Sequence, residues 1–457
     1  MKALQVDLNL VKKYNVPGPR YTSYPPATEF SEQFSVRNLL AQIRANNQTE
    51  RDLSLYFHVP FCQSLCWYCG CTTVITTQQS QSARYLTYLK KELALMAPLL
   101  NPRRKVVQLH FGGGTPTFLT PIEIRALGKM IHSQFAFARD AEAGVEIDPR
   151  HLTRDHLTAL REIGFNRASI GVQDNNPIVQ KAIHRIQPYA LTKTTVDWIC
   201  AAGFSSLNID LIYGLPYQTP ASFERTLDEV LQLKPDRLAV FNYAHVPWIK
   251  PAQKILEGGA LPSPEIKLEL LKLTIEKLTS EGYLYIGMDH FARADDELAV
   301  AQRQKSLQRN FQGYSTRGGV DIYAFGMSSI SQADGCYWQN LKELPRYYAA
   351  LDQGKFPLAK GYVLTSEDRI RHQTIMRLMC DLELDYAAMS KFLEVDFAQH
   401  FDAELDSLDD LEADGLVLKT PGGLFVTDLG RLFIRNIAMC FDRYAPMRKE
   451  SHFSKTI

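Results

Sequence analysis

Apolar strands alternating with amphipathic helical stretches predict an α/β protein built on a full or partial (β/α) barrel of the TIM type. Two observations carry this expectation. Six or seven such βα units fit into about 240 residues, which suits a barrel better than an open sheet. The conspicuous polar residues fall where the strands end, on the face where barrel enzymes keep their active sites. A chain of 457 residues exceeds one small domain, so appendages are expected. The divisions are an arm over 1–50, the barrel over 51–330, a connecting segment over 331–365 and a mainly helical, winged-helix-like domain over 366–457.

In chain order, Pro17-Gly-Pro-Arg-Tyr-Thr-Ser-Tyr-Pro-Pro26 has too many prolines for a helix and too little apolar area for its own core. It reads as a segment laid over the main domain, although Arg20, Tyr21, Thr22 and Tyr24 suit a carboxylate-bearing ligand. Strands are predicted over Leu53–Val59, Val106–Phe111, Gly144–Ile147, Arg167–Val172, Leu207–Tyr213, Leu238–Ala244 and Leu284–Met288. Helices between them are predicted over Ala83–Met96, Pro121–Gln134, His156–Ile163, Leu191–Ala202 and Pro220–Leu233. Glycine-containing loops near Arg317 and at Ala324–Ile330 are placed to close one side of a cavity. Past 366, helices at Ser366–Leu382, Tyr386–Phe392, Phe397–Leu411 and Leu429–Phe441 surround a hairpin of Leu416–Lys419 and Leu424–Val426.

Composition narrows the function classes. A net charge of +1 gives no general electrostatic case for nucleic acid or anionic membrane. The wing-like domain has twelve Asp and Glu but one Lys (Lys391) over 381–414, the wrong sign for binding DNA. There is no apolar run of about 18 residues to span a membrane, and no apolar segment of a signal peptide follows Met1. Eight cysteines, half of them in one short stretch, argue for reduced thiols in the cytoplasm rather than disulfides.

That stretch, Tyr56 to Cys71, is the centre of the functional reading. Cys62, Cys66 and Cys69 are spaced C-x3-C-x2-C, short enough for one loop to wrap one inorganic cluster. Three protein thiolates on a [4Fe-4S] cube leave one iron open for another ligand. Three alternatives stand beside this one: a zinc knuckle with Cys71 as fourth ligand, a disulfide pair, or buried apolar thiols. The remaining Cys200, Cys336, Cys380 and Cys440 are isolated, so no second C-x2-C pairs with the first as in a zinc ribbon.

Around this loop the predicted strand ends gather Gly112-Gly-Gly-Thr-Pro116, Glu146, Asp148, Gln173, Asp210, Tyr213, Gly214, Asn242, Ala244 and His245. Each has an ordinary explanation, a tight turn for a glycine run or a helix cap for a strand-end Asp. Jointly they describe one site. Gly112–Gly114 let the backbone approach a ligand, yet match neither phosphate-binding glycine motif, so nucleotide phosphate is not implied.

With C-x3-C-x2-C, Tyr68 before the third Cys, and GGGTP after the next strand, the sequence resembles the radical S-adenosylmethionine (SAM) superfamily. Within it, Pro17–Pro25, Cys69-Gly-Cys71, Glu146-Ile-Asp-Pro149, Gly171-Val-Gln173, Asn208–Pro216, Phe241–His245, Gly287–Ala292 and Asn310–Tyr314 resemble the oxygen-independent coproporphyrinogen III oxidases (dehydrogenases). The resemblance implies one [4Fe-4S] cluster, two SAM molecules, and oxidative decarboxylation of two propionates of coproporphyrinogen III by a 5′-deoxyadenosyl radical. It implies cluster ligation by Cys62, Cys66 and Cys69, and contacts to a first SAM from Tyr56, Tyr68, Gly113 and Glu146. To a second SAM it assigns Gly114, Thr115, Gln173, Arg185, Asp210, Ala244 and Ile330. Cys71, with Tyr56, is assigned to the active site rather than to the cluster. A monomer reduced by flavodoxin or ferredoxin is also implied. Asn175 departs from the aromatic expected there, and Trp67 with Tyr68 varies an aromatic pair.

Two rivals share these motifs. A haem chaperone of the same superfamily binds haem without this turnover, but lacks both the proline-rich arm and a counterpart of Cys71. A radical SAM enzyme acting on haem itself would differ in product mass.

Overall fold

Alternate residues of the first strand show how the molecule is built. In β1 (Leu53–Val59), Leu55, Phe57 and Val59 are fully buried, whereas Tyr56 and His58 line an internal chamber. The pattern repeats along β2 (Val106–Gly113), β3 (Phe137–Ile147), β4 (Arg167–Gln173), β5 (Ser206–Tyr213) and β6 (Arg237–Asn242). Apolar side chains such as Phe111, Val145, Ile170, Ile209 and Leu238 are buried in the core, and polar ones such as His110, Glu146, Ser169, Asn208 and Arg237 line the chamber. A period of two puts successive residues on opposite faces. These strands therefore bury one face and turn a polar face to a hollow interior, unlike the packed centre of a closed TIM barrel.

The computed structural model describes residues 5–258, 261–445 and 455–456. Strands β1 to β6 pair in parallel, in chain order. Helices Ser80–Met96, Pro121–His132, Arg154–Glu162, Tyr189–Ala201 and Pro220–Gln232 connect them, within one to three residues of the expected spans. Capping boxes at Thr120 with Glu123 and at Thr219 with Ser222 satisfy the first free N–H groups of two of these helices.

The seventh expected strand departs from the series. β7 (Tyr283–Gly287) turns back through Met288 and Asp289, and the returning β8 (His290–Arg293) inserts antiparallel between β6 and β7. Left-handed backbone at Met288, with φ of 56°, turns the chain so that the return strand reaches β6 first. β9 (Asp321–Phe325) joins the other side of β1 in parallel. β10 (Ile330–Ala333), β11 (Cys336–Asn340) and β12 (Leu358–Val363) follow antiparallel, so 331–365 extends the sheet rather than merely connecting. The twelve-stranded order is β12-β11-β10-β9-β1-β2-β3-β4-β5-β6-β8-β7, a partial barrel whose edge strands do not pair with each other.

Buried Glu92 ties the added edge to the barrel. It accepts from the Gly326 N–H (2.8 Å), Asn340 (2.6 Å) and Tyr347 (2.6 Å). Gly326 needs its glycine: φ is +97° and a Cβ would lie 2.4 Å from the Tyr85 hydroxyl.

The arm is built into the molecule. Helix Val36–Asn46 buries Leu39 and Ile43, and Ser31 bridges to Gly361 on the outer edge of β12. Tyr21 and Tyr24 are buried and occupied, Tyr21 donating to Asp442 (3.0 Å) and Tyr24 accepting from the Arg443 N–H (3.2 Å). Both are core residues rather than ligand donors. In the C-terminal region, helix Ser366–Asp381 precedes β13 (Glu383–Asp385), β14 (Val417–Thr420) and β15 (Gly423–Val426), ordered β13-β15-β14. The single helix expected over 397–411 is three short pieces broken at Phe401 and Ser407–Leu408. No described helix is long and apolar enough to cross a membrane.

Candidate active site

One chamber runs along the inside of the partial barrel. Its inner part, about 520 Å³, is lined by Tyr56, His58, His110, Glu146, Asp210, Arg237, His290 and Ile330, among others. The outer part, about 400 Å³, is walled by Cys62, Cys66, Tyr68, Cys69 and Cys71, with Gly113, Gly114, Thr115, Gln173, Arg185 and Ala244. Glu146, Ser169, Asp210 and Phe241 border both parts. Every residue assigned from sequence to the cluster, to SAM or to the reacting face lines this chamber, with Tyr56 and Ile330 on its inner wall only, whereas Gly112, Pro116, Tyr213, Gly214 and His245 do not line it.

The thiol loop is held from below and from the side. The loop after β2 packs directly under it, with Gly114 N–H to Val59 O at 2.8 Å and Thr115 N–H to Phe61 O at 2.9 Å. A Cβ on Gly114 would sit 2.6 Å from Pro60 O, and one on Gly113 (φ +116°) 2.7 Å from the His58 ring. The glycines thus serve close packing of two loops, beyond the approach to a ligand expected of them. At the side, Trp67 stacks on His184 at 5.0 Å and donates its backbone N–H to Ile183 O at 3.0 Å.

The three thiols suit a cluster. Thr115 Oγ1 lies 3.4 Å from Cys62 Sγ, the Cys71 N–H donates to Cys69 Sγ (3.4 Å), and Arg150 and Arg185 approach Cys66 Sγ at 3.4 and 3.7 Å. Polar hydrogens on each sulfur favour thiolates. The Cys71 thiol donates to Cys69 and pulls it down to about 6 against the opposing effect of burial, and Cys71 itself is pushed up. Burial raises Cys62 to about 11, an effect that binding to iron reverses. Among the described residues no three Cys, His, Asp or Glu side chains gather tightly enough for a single ion. Three thiols on one short loop suit a cube that takes each on a different iron. Cys71 is exposed and touches the triad at Cys69, to which its N–H and thiol donate, and no cysteine is disulfide-bonded.

Behind the thiols, Asp148 accepts from Arg150 (2.6 Å) and Arg185 (3.2 Å). Burial works to raise the Asp148 carboxyl, but the two guanidinium groups outweigh it and hold it well below the usual range. Arg185 is 6 % exposed and also donates to Gly171 O (2.7 Å), so it is no solvated helix residue. Two cations on one anion leave surplus positive charge beside Cys66.

Glu146 accepts from the Gly113 N–H (3.1 Å) and sits 3.3 Å from His110 Nε2. Burial opposes its charge, but His110 and Gly113 keep it ionised. Asp210 behaves oppositely. Burial and the nearby Glu146 charge push it to about 7, despite bonds from Asn208 (2.7 Å) and Ser169 (3.2 Å). Two neighbouring carboxylates with separated acidities mark a functional site. Tyr56 stacks on His110 at 5.8 Å and its hydroxyl lies 3.2 Å from His58 Nδ1. Gln173 ends β4 in left-handed backbone, with φ of 69°.

Asn175 points away from the chamber, donating to Glu229 (2.8 Å) under helix Pro220–Gln232. Sequence reasoning missed Arg150, His58 and His110. The signal for the histidines was the period-two polar face of β1 and β2; Arg150 directly follows Asp148-Pro149.

A half-barrel of parallel strands carrying a three-cysteine loop above a glycine loop defines a radical SAM enzyme. The radical SAM superfamily model matches residues 56–230, and the HemN C-terminal domain model matches 364–433. Relatives named oxygen-independent coproporphyrinogen III oxidase include those of Synechocystis (47 % identical, covering 99 % of this chain and 98 % of that one) and Escherichia coli (49 %, with 99 % and 98 % covered). The solved coproporphyrinogen III oxidase (HemN) from Escherichia coli superposes with a TM-score of 0.93 at 47 % identity, over 97 % of this chain and 100 % of that one. This chain belongs to the oxygen-independent coproporphyrinogen III oxidase family.

Proposed function

We propose that this enzyme oxidatively decarboxylates the ring A and ring B propionates of coproporphyrinogen III to vinyl groups, giving protoporphyrinogen IX in haem biosynthesis. The observation carrying this reading is the chamber. It joins a three-thiol loop to a polar space of about 520 Å³ in a chain that aligns end to end with relatives of that name. The same full-length relationship favours the oxidase over the haem chaperone.

A propionate β-carbon C–H is unactivated, so acid–base chemistry cannot break it. When bound, the cluster with SAM supplies the hydrogen-atom abstraction, through a 5′-deoxyadenosyl radical. Loss of CO2 and of one electron, passed to an external one-electron acceptor, then leaves a vinyl group on the substrate, and two propionates require two SAM per turnover.

The chain's own residues position these partners. Cys62, Cys66 and Cys69 hold the cluster. Ionised Glu146, fixed by Gly113, suits an ammonium group of the first SAM, with Tyr56 and Tyr68 as its aromatic walls. Arg185 suits the carboxylate of a second SAM, placed among Gly114, Thr115, Gln173, Asp210, Ala244 and Ile330. Cys71, exposed beside the triad, acts with Tyr56 at the reacting face. The same reading makes the enzyme a cytoplasmic monomer reduced by flavodoxin or ferredoxin. Anaerobic incubation with coproporphyrinogen III, SAM and a reductant tests it by mass spectrometry. Loss of two CO2 per tetrapyrrole is the expected result, and an unchanged substrate mass would overturn the reading.

A further inference from the structure

The arm brings one cation, Arg20, up to Phe241 in the chamber wall. Arg435 donates to Pro19 O (3.0 Å) and to Gly18 O, and Arg309 donates through Nε and Nη2 to Arg20 O (3.3 Å each). These two buried guanidinium groups strap the backbone of 18–20 in place. The strap delivers the Arg20 side chain beside Phe241, 6.0 Å from the ring centroid, where Phe241 and His290 wall the inner chamber edge to face. Arg20 pairs there with Asp289 in the β7–β8 turn and remains 36 % exposed, against 12 % for Asp289.

This corner is short of negative charge. Among the described residues no carboxylate pairs with Arg309, which is 4 % exposed and has an Nη1 group without a hydrogen-bond partner. Burial holds its guanidinium below the ordinary value; Tyr314 offsets this in part, and Arg20 adds repulsion. A buried cation in this state is stabilised by any anion brought to it.

We propose that Arg20, backed by Arg309, anchors a carboxylate of the substrate that does not react, with Asp289 keeping its place in the free protein. The inference rests on the substrate reading above, since coproporphyrinogen carries four propionates and only two become vinyls. A guanidinium offered across an aromatic wall is suited to a propionate extending from a pyrrole ring.

The test is steady-state turnover of anaerobic coproporphyrinogen III by the cluster-loaded enzyme and its Arg20→Gln, Arg20→Lys and Asp289→Asn variants. A charge-assisted contact predicts a KM about tenfold to a hundredfold higher for Arg20→Gln. Arg20→Lys should recover part of this, and SAM cleavage without tetrapyrrole should match wild type. Asp289→Asn should lower KM, because it removes a competing carboxylate. A structural ion pair predicts the opposite sign for that variant, so a KM raised by Asp289→Asn overturns the anchor. Wild-type turnover with an unshifted KM in Arg20→Gln also overturns the anchor alone, whereas a wild-type enzyme that forms no vinyl product overturns the substrate assignment.

Discussion

The two ends of the chamber treat buried charge differently. Beside the thiols, Arg150 and Arg185 share one carboxylate, Asp148. At the other end, where the strands begin, Arg167 and Arg237 meet three: Glu142, Asp296 and Glu297. A balanced network, in which every cation has at least one carboxylate of its own, keeps a wall together, whereas a surplus of cations suits anionic ligands. The same kind of residue therefore has a structural duty at one end and a binding duty at the other, and substitutions can separate them.

The largest effect falls on the thiol end. Cys66→Ala removes the proposed cluster ligand, the thiol that both arginines approach, and should abolish cluster assembly and turnover. Iron content and the brown absorption report the first; SAM cleavage surviving in this variant would remove Cys66 from the ligand set. Arg185→Ala should keep the cluster and its colour but lose vinyl formation, because the guanidinium proposed to hold a cofactor carboxylate is gone. Undiminished product yield would return Arg185 to a purely structural pairing with Asp148. Cys71→Ser should also keep the cluster, since three thiolates suffice for ligation and the serine keeps the N–H that donates to Cys69. Its turnover should fall on the order of a hundredfold if its thiol serves in proton transfer, and a colourless variant would make it a fourth ligand.

At the balanced end the sign of the comparison reverses. Arg237 donates to both oxygens of Asp296, at 3.0 and 2.8 Å. Arg237→Met should leave cluster loading intact and destabilise the fold by about 2–4 kcal/mol, because Asp296 keeps a buried charge without its partner. Denaturant unfolding measures this, and a loss of SAM cleavage at unchanged stability would erase the distinction between the two ends.

How far the sequence showed this depends on the element. Strands β1 to β6 were legible because apolar and polar residues alternate with period two, and their ends agree with expectation to within two residues except at the start of β3, which begins at Phe137, seven residues before the expected Gly144. The β7–β8 hairpin was not, since a strand after a helix reads the same whether it pairs with the last strand or folds back first. Residues 331–365 read as a connector because short edge strands such as Ile330–Ala333 carry too few residues to show a period. Within the site, the cysteine spacing and the glycine run were plain. Arg150 was not, because its meaning depends on Arg185, far along the chain, meeting the same carboxylate. Tyr21 and Tyr24 looked like ligand groups only because their partners, Asp442 and Arg443, lie at the opposite end of the sequence.

The smallest effect concerns Asp210, midway between the two ends. Its acidity is moved up to about 7, first by burial and then by the Glu146 charge. An unfolded Asp loses its proton near 3.9. Between roughly pH 4 and 7 the folded protein therefore binds more protons than the unfolded chain, and stability falls as pH rises through that window. Below it, both states are protonated and the difference vanishes. Asp210→Asn removes the penalty while keeping the bonds from Asn208 and Ser169 in reach, so it should stabilise the cofactor-free protein at pH 8 and not at pH 4. Because Asp210 borders a water-accessible chamber, screening reduces the gain to on the order of 1 kcal/mol. Melting temperatures of the two proteins at both pH values decide it. An equal shift at pH 4 and pH 8 would mean that the gain does not come from the ionisation of Asp210 and that its acidity is not raised in the folded protein.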